Sequence, residues 1–127
     1  MVAATIVAGS DFRLLKVGVN PTRTGIVDAL VAMGAKITFE NEGVLAGEPI
    51  ADVRIQASCL HGTTIEGDLV VRMIDEFPAF MIAAACATGE TLVRDAAELR
   101  TKESDRIAMM TQQLKACGVE IEEYPDG

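Results

Sequence analysis

Between Glu76 and Thr88 the chain reads Phe-Pro-Ala-Phe-Met-Ile-Ala-Ala-Ala-Cys-Ala, without one charged residue. A helix built from these residues has no polar side to turn toward water. The sequence therefore predicts a helix over about 76–88 that is buried on every side. It is too short for a bilayer span, which takes about 20 residues. Such a helix needs other elements around it, and that requirement points to a layered fold. Composition agrees: 50% of the residues are hydrophobic but only 4% aromatic, with no Trp, so aliphatic side chains and Met must fill the core. A mean hydropathy of +0.29 excludes intrinsic disorder.

A second apolar segment opens the chain. Met1–Ala8 has no polar cap before it and stops at Gly9-Ser10-Asp11. It lacks the positive region of a secretory signal and reads as the back half of a buried helix. Met1-Val2-Ala3-Ala4 matches Met81-Ile82-Ala83-Ala84 at an offset of 80, and Gly9 then matches Gly89. Leu30–Ile37 matches Leu114–Ile121 at an offset of 84. Two matched blocks in the same order predict an internal repeat, over about 1–57 and 65–127, of helix, strand, helix and strand.

The remaining elements are set by local chemistry. Asn20 is a good N-cap and Pro21 a good first helical residue, so a helix is expected from there to about Met33, with Gly34 at its C′ position. Strands are expected over about 11–19, 35–40, 51–57, 69–73, 92–93 and 119–124. The 51–57 strand shows clean alternation of Val53, Ile55 and Ala57 against polar neighbours. A last helix is expected over about 102–117, capped by Gly118, with Ile107, Met110, Leu114 and Cys117 on one face. Cys86 and Cys117 are read as core residues. Helices alternating with strands make this an α/β domain. No linker divides the chain, and both ends read as cut inside a repeating architecture.

Formal charge is −8, with a sequence pI near 4.5. No basic footprint for nucleic acid exists, nor a polybasic membrane surface. Three cysteines cannot all pair among themselves, and the expected compartment is the cytoplasm with reduced thiols. Cys59 and His61 lack further partners at metal-ligand spacing.

Two places carry chemistry. Leu99–Arg106 holds five ionisable residues at the expected start of the last helix. Lys102 and Arg106, four apart, would share a face, with Glu103 in reach of Arg106. Two cations at a helix N-terminus form an anion site, against the usual preference for acids there. The plain alternative is a solvated helix start with local ion pairs. Asp75, just ahead of the apolar helix, reads either as its N-cap or as a base that orients a hydroxyl.

Four motifs share one resemblance. Glu98–Arg106 (Glu-Leu-Arg-Thr-Lys-Glu-Ser-Asp-Arg), Val19–Gly25, Ile65–Val70 and Met73–Pro78 resemble, in order and spacing, the signatures of 5-enolpyruvylshikimate-3-phosphate synthases. Cys59 and His61 depart from it, standing where the family commonly has a proline and a basic residue. The resemblance implies an enolpyruvyl-transferase-like α/β (α+β) fold. Its units are repeated βαβαββ, its sheets pack on buried parallel helices, and the chain holds about two of the three repeats of one domain. It implies transfer of the enolpyruvyl group of phosphoenolpyruvate to the 5-hydroxyl of shikimate 3-phosphate, a step toward chorismate and the aromatic amino acids, with no metal or organic cofactor. Asp75 then matches the acid that contacts shikimate hydroxyls and is a candidate base. Lys102 and Glu103 match the pair that handles protons, and Arg106 matches a phosphoenolpyruvate ligand.

The resemblance also implies missing parts. Family members have two such domains closing on substrate, and the opposing domain and later phosphoenolpyruvate-binding cations have no counterpart here. The chain is therefore expected to be inactive alone, to need the missing domain as its partner, or to self-associate through uncovered helices. The rival readings are the sibling transferase acting on UDP-N-acetylglucosamine and a non-catalytic module that binds an anion or a partner protein.

Overall fold

Alternating burial along Ala51–Gln56 organises the first layer. In the computed structural model, which describes residues 1–127, Ala51, Val53 and Ile55 are no more than 1% exposed, while Asp52, Arg54 and Gln56 stay partly in water. They belong to the central strand of a three-stranded antiparallel sheet: β1 (Asp11–Gly18), β2 (Lys36–Leu45) and β3 (Glu48–Gln56), in the order β1-β3-β2. The β2–β3 hairpin extends well past the expected strand ends. Its tip, Ala46-Gly47, has φ of 52° and 86°, a primed-turn geometry that matches strand twist. Alanine is a poor residue for positive φ, so the turn carries no sequence signature.

Asp52 links both flanking strands to the centre. Each outer strand bulges, β1 between Leu14 and Val17 and β2 between Glu40 and Gly43. The bulged residues Lys16 and Asn41 have φ of 52° and 50°. The Lys16 amide donates to Asp52 Oδ1 (2.9 Å), and Asn41 Nδ2 donates to Oδ2 (2.8 Å). These donors, Asn41 first, hold the Asp52 carboxyl below its ordinary range.

The second layer is helical. Helix α1 (Val2–Ile6) packs on α4 (Phe77–Ala85), which also meets α2 (Gly25–Ala32) and α5 (Arg106–Ala116). A short helix, α3 (Asp68–Arg72), crosses α2 so closely that a Cβ on Gly25 would lie 2.7 Å from the Arg72 carbonyl carbon. Two short parallel strands, β4 (Thr64–Ile65) and β5 (Leu92–Val93), complete the layer. The core cluster of 16 residues includes Leu30, Met33, Ile65, Met73, Phe77, Phe80 and Leu99. Phe77 and Phe80 meet edge to face, with centroids 6.0 Å apart, a favoured aromatic geometry. The α/β expectation is met, and no helix is long and apolar enough to cross a membrane.

Several local expectations are corrected. Residues 68–72 are helical, not a strand: Val70 and Met73 are buried while Val71 is 64% exposed, a spacing of three. Arg72 fixes this turn by donating to Pro21 O (2.8 Å), Thr24 Oγ1 (3.3 Å) and Asp28 (2.6 Å). Asn20 caps as expected, accepting from the Thr22 amide (3.1 Å), but Pro21–Arg23 is a 3-10 turn and α2 starts only at Gly25. Gly34 and Gly118 do take the positive φ of helix-ending glycines, 92° and 85°. Helix α5 begins at Arg106, so Lys102 and Glu103 lie outside it. Cys86 and Cys117 are exposed at helix C-caps rather than in the core.

Helix α4 is not buried on every side. Phe77, Phe80 and Ala83 face inward, but Ile82 is 45% exposed. Residues 119–124 form no strand, because no strand edge pairs with them. They cross instead over an apolar trough of about 1150 Å³ between α4 and α5, lined by Phe77, Phe80, Leu99, Ile107, Leu114 and Ile121. The one apolar helix therefore has a packed side and an open side. Phe80→Ala should cost about 3–5 kcal/mol of stability in urea unfolding. Ile82→Ala, half a turn away, should cost under about 1 kcal/mol.

Candidate functional site

The site begins at the N-cap of α5. Asp105 has the extended backbone of a cap (φ −66°, ψ 94°), and its Oδ1 accepts from the Ala108 amide at 2.9 Å. This bond, and then the Arg100 guanidinium at 2.9 Å, holds the Asp105 carboxyl below its ordinary value of 3.8. Capping at Asp105 sets the first helical residue at Arg106 and leaves Thr101–Ser104 as a non-helical loop.

Arg106 reaches back to the start of α4. Its Nη1 donates to Ile74 O and to Asp75 Oδ1, both at 3.1 Å, and its Nη2 lies 3.5 Å from Glu103 Oε2. The Arg106 side chain is 23% exposed, against 62% for Asp75 and 88% for Glu103. One half-buried guanidinium thus gathers two exposed carboxylates from segments 28 or more residues apart in the chain, 75 and 103. Asp75 is free for this contact because Glu76, and not Asp75, occupies the N-cap of α4, and neither side chain caps it.

Lys102 is held differently. It does not share a helical face with Arg106, since α5 has not begun at 102. Its ammonium pairs with Glu98, in the 3-10 turn Ala97–Arg100. The structure therefore joins Asp75, Glu103 and Arg106 directly and leaves Lys102, next to Glu103 in the 101–104 loop, bound to another acid. Sequence reasoning assigned no role to Glu98, Arg100 or Asp105. The spacing of four between Glu98 and Lys102 was a usable signal; the spacing of five between Arg100 and Asp105 has no standard meaning. Cys59 and His61 are exposed and apart from this cluster, and no three His, Cys, Asp or Glu side chains converge as metal ligands.

Chemically, the cluster offers exposed carboxylates that can accept or deliver a proton and fixed cations for anionic groups. The guanidinium has five donors, and three contacts leave some for a ligand. Exposed ion pairs of this kind contribute only about 0.2–1 kcal/mol, so an anion can compete for Arg106 at small cost.

The whole chain superposes on known structures. Against EPSP synthase from Acinetobacter baumannii the TM-score is 0.97, with 51% identity, over 99% of this chain and 28% of that one. A second structure of EPSP synthase from the same organism gives 0.94 and 48% identity over the full chain. The layered fold is thus that of part of the EPSP synthase structures. The model of the family EPSP synthase (3-phosphoshikimate 1-carboxyvinyltransferase) matches residues 1–127. Proteins named 3-phosphoshikimate 1-carboxyvinyltransferase from Acaryochloris marina and Magnetococcus marinus are 55% and 57% identical over all 127 residues. The chain belongs to the EPSP synthase family, and it spans 28% of the length of these two relatives.

Because the Asp105 carboxyl is held low, its cap is fully formed above the unfolded value near 3.8 and is lost as pH falls through the lower folded value. The Ala108 amide resonance should therefore titrate only below pH 3.8. Asp105→Asn should abolish that titration, and a midpoint above 3.8 would contradict the capping geometry.

Proposed function

We propose that this chain supplies one side of the site that transfers the enolpyruvyl group of phosphoenolpyruvate to the 5-hydroxyl of shikimate 3-phosphate, with release of phosphate. The observation that carries the reading is the joining of Asp75 and Glu103 through Arg106, in a chain of the EPSP synthase family. Asp75 contacts the shikimate hydroxyls and serves as base for the 5-hydroxyl. Glu103 and Lys102 move protons at the methylene carbon and the attacking oxygen. Arg106 holds the anionic groups of phosphoenolpyruvate. Each role suits its residue: addition to and elimination from a vinyl carbon needs acid–base groups beside it, and a doubly anionic substrate needs fixed cations. The family match does not favour the sibling transferase that acts on UDP-N-acetylglucosamine. The reading places the protein in the cytoplasm, in keeping with three free cysteines.

On this reading the opposing domain and the later phosphoenolpyruvate-binding cations belong to the length of the relatives that this chain does not span, so the chain alone should show no significant turnover. Co-expression with the complementary remainder of the Acinetobacter baumannii enzyme should restore it. In that complex Asp75→Asn, Glu103→Gln and Lys102→Met should each lower kcat by about 100-fold or more. Arg106→Gln should chiefly raise KM for phosphoenolpyruvate. Turnover by the chain alone would refute the shared site. A stable complex that binds a partner or an anion but never turns over would favour the non-catalytic module.

The open side of α4 and α5 supports a second proposal, that the isolated chain self-associates. Ile82 and Met109 are 45% and 51% exposed, on helix faces turned away from the residues that line the trough. Sedimentation should give a species heavier than a monomer, and the double variant Ile82→Glu/Met109→Glu should shift it to a monomer. A clean monomer for the unmodified chain would end that idea.

A further inference from the structure

The loop Thr101–Ser104 presents Lys102 and Glu103, which pair with Glu98 and Arg106, and Thr101 Oγ1 donates to Glu98 O at 3.1 Å, yet its backbone is sparsely held. Among its backbone amides only Thr101 N–H finds a backbone carbonyl, Glu98 O at 3.1 Å. Four ordered residues outside any helix or strand carry an entropy cost that some contact has to offset. The two residues that bracket the loop make a contact that ties its ends together. Arg100 Nη1 donates to Asp105 Oδ2 at 2.9 Å, with the two side chains 24% and 36% exposed.

Arg100 is itself over-determined. Its Nε donates to Pro125 O at 3.0 Å, its Nη2 to Tyr124 O, and Glu123 lies 3.4 Å from Nη1. Asp105 is equally constrained, because its other carboxylate oxygen accepts from the Ala108 amide at 2.9 Å. One carboxylate thus starts α5 with Oδ1 and closes the loop with Oδ2. Neither residue touches Asp75, Glu103 or Arg106 side chains in the hydrogen-bond and ion-pair geometry of the site.

We propose that Arg100 and Asp105 are positioning residues: their ion pair staples the ends of the Thr101–Ser104 loop and so fixes where Lys102 and Glu103 point. The kinetic consequence rests on the proposed function; the structural one does not. A guanidinium is required, since its planar fork serves the carboxylate and the tail carbonyls together, and an ammonium does not reproduce that geometry.

The two parts are tested separately. In the 127-residue chain, 15N relaxation should give Lys102, Glu103 and Ser104 order parameters in the rigid range of about 0.85, falling below about 0.6 in Arg100→Gln. Asp105→Asn keeps a capping side chain but loses the charge, and it should loosen the loop while Ala108 stays ordered. Amides of β3 report whether each variant is folded. A loop that is mobile in the unmodified chain, or unchanged in Arg100→Gln, overturns the staple. For kinetics, residues 1–127 replace the matching part of the Acinetobacter baumannii enzyme. There Arg100→Gln should lower kcat at least tenfold with KM values within about twofold, and Arg100→Lys should not restore it. A kcat within twofold of the parent chimera refutes the positioning role. A parent chimera without turnover counts against the proposed function, while the relaxation result still decides the staple.

Discussion

Packing of Phe77 and Phe80 into the centre of the helical layer fixes where the residues of the site stand. Both rings are no more than 1% exposed, so the start of α4 has one allowed position relative to α2 and α5. Asp75 stands two residues ahead of Phe77, outside the helix, where the chain turns into solvent. Ile107, one residue beyond Arg106, is buried in the same core cluster. The hydrophobic contacts thus bring together two chain segments whose adjoining residues are the acid and the guanidinium. The ion pair is a consequence of that packing and too exposed to drive it.

Much of this was legible in the sequence, for identifiable reasons. The alternation at Val53 and Ile55 and the glycines at 34 and 118 register local rules of strand faces and helix ends, and the structure obeys both. Glu103 reaches Arg106 as its spacing suggests. The failures have a common cause, which is competition that local patterns do not register. Residues 69–73 are apolar enough for a strand, yet they form a helical turn from which Arg72 reaches three acceptors on or beside α2. Lys102 and Arg106 have helical spacing, but it is Asp105 between them whose side chain accepts from the Ala108 amide, and the helix starts there.

The apolar composition of α4 suggests burial on all sides, and the structure corrects this to burial on one side. The composition still bears on function. A helix with Ile82 in water keeps an apolar surface that its own chain does not cover, beside a trough of about 1150 Å³. Burying such surface contributes about 25 cal/mol per Å², so the chain has a standing free-energy gain from any element that closes over it. A segment spanning 28% of its relatives' length is where such a surface is expected.

Net charge is a poor guide to a site like this one. At −8 the whole chain repels anions at long range, but that field is screened beyond roughly 8 Å at physiological salt. Within that distance the local arrangement decides, and here the cations are partly sheltered while the acids are not. Arg106 and Lys102 are 23% and 25% exposed, against 88% for Glu103 and 62% for Asp75. Partial burial strengthens the interaction of each cation with whatever anion replaces water beside it. Exposure lets the carboxylates move aside at little energetic penalty. An acidic chain can therefore hold a phosphate-bearing substrate, provided its cations are fixed by the fold and its acids are not.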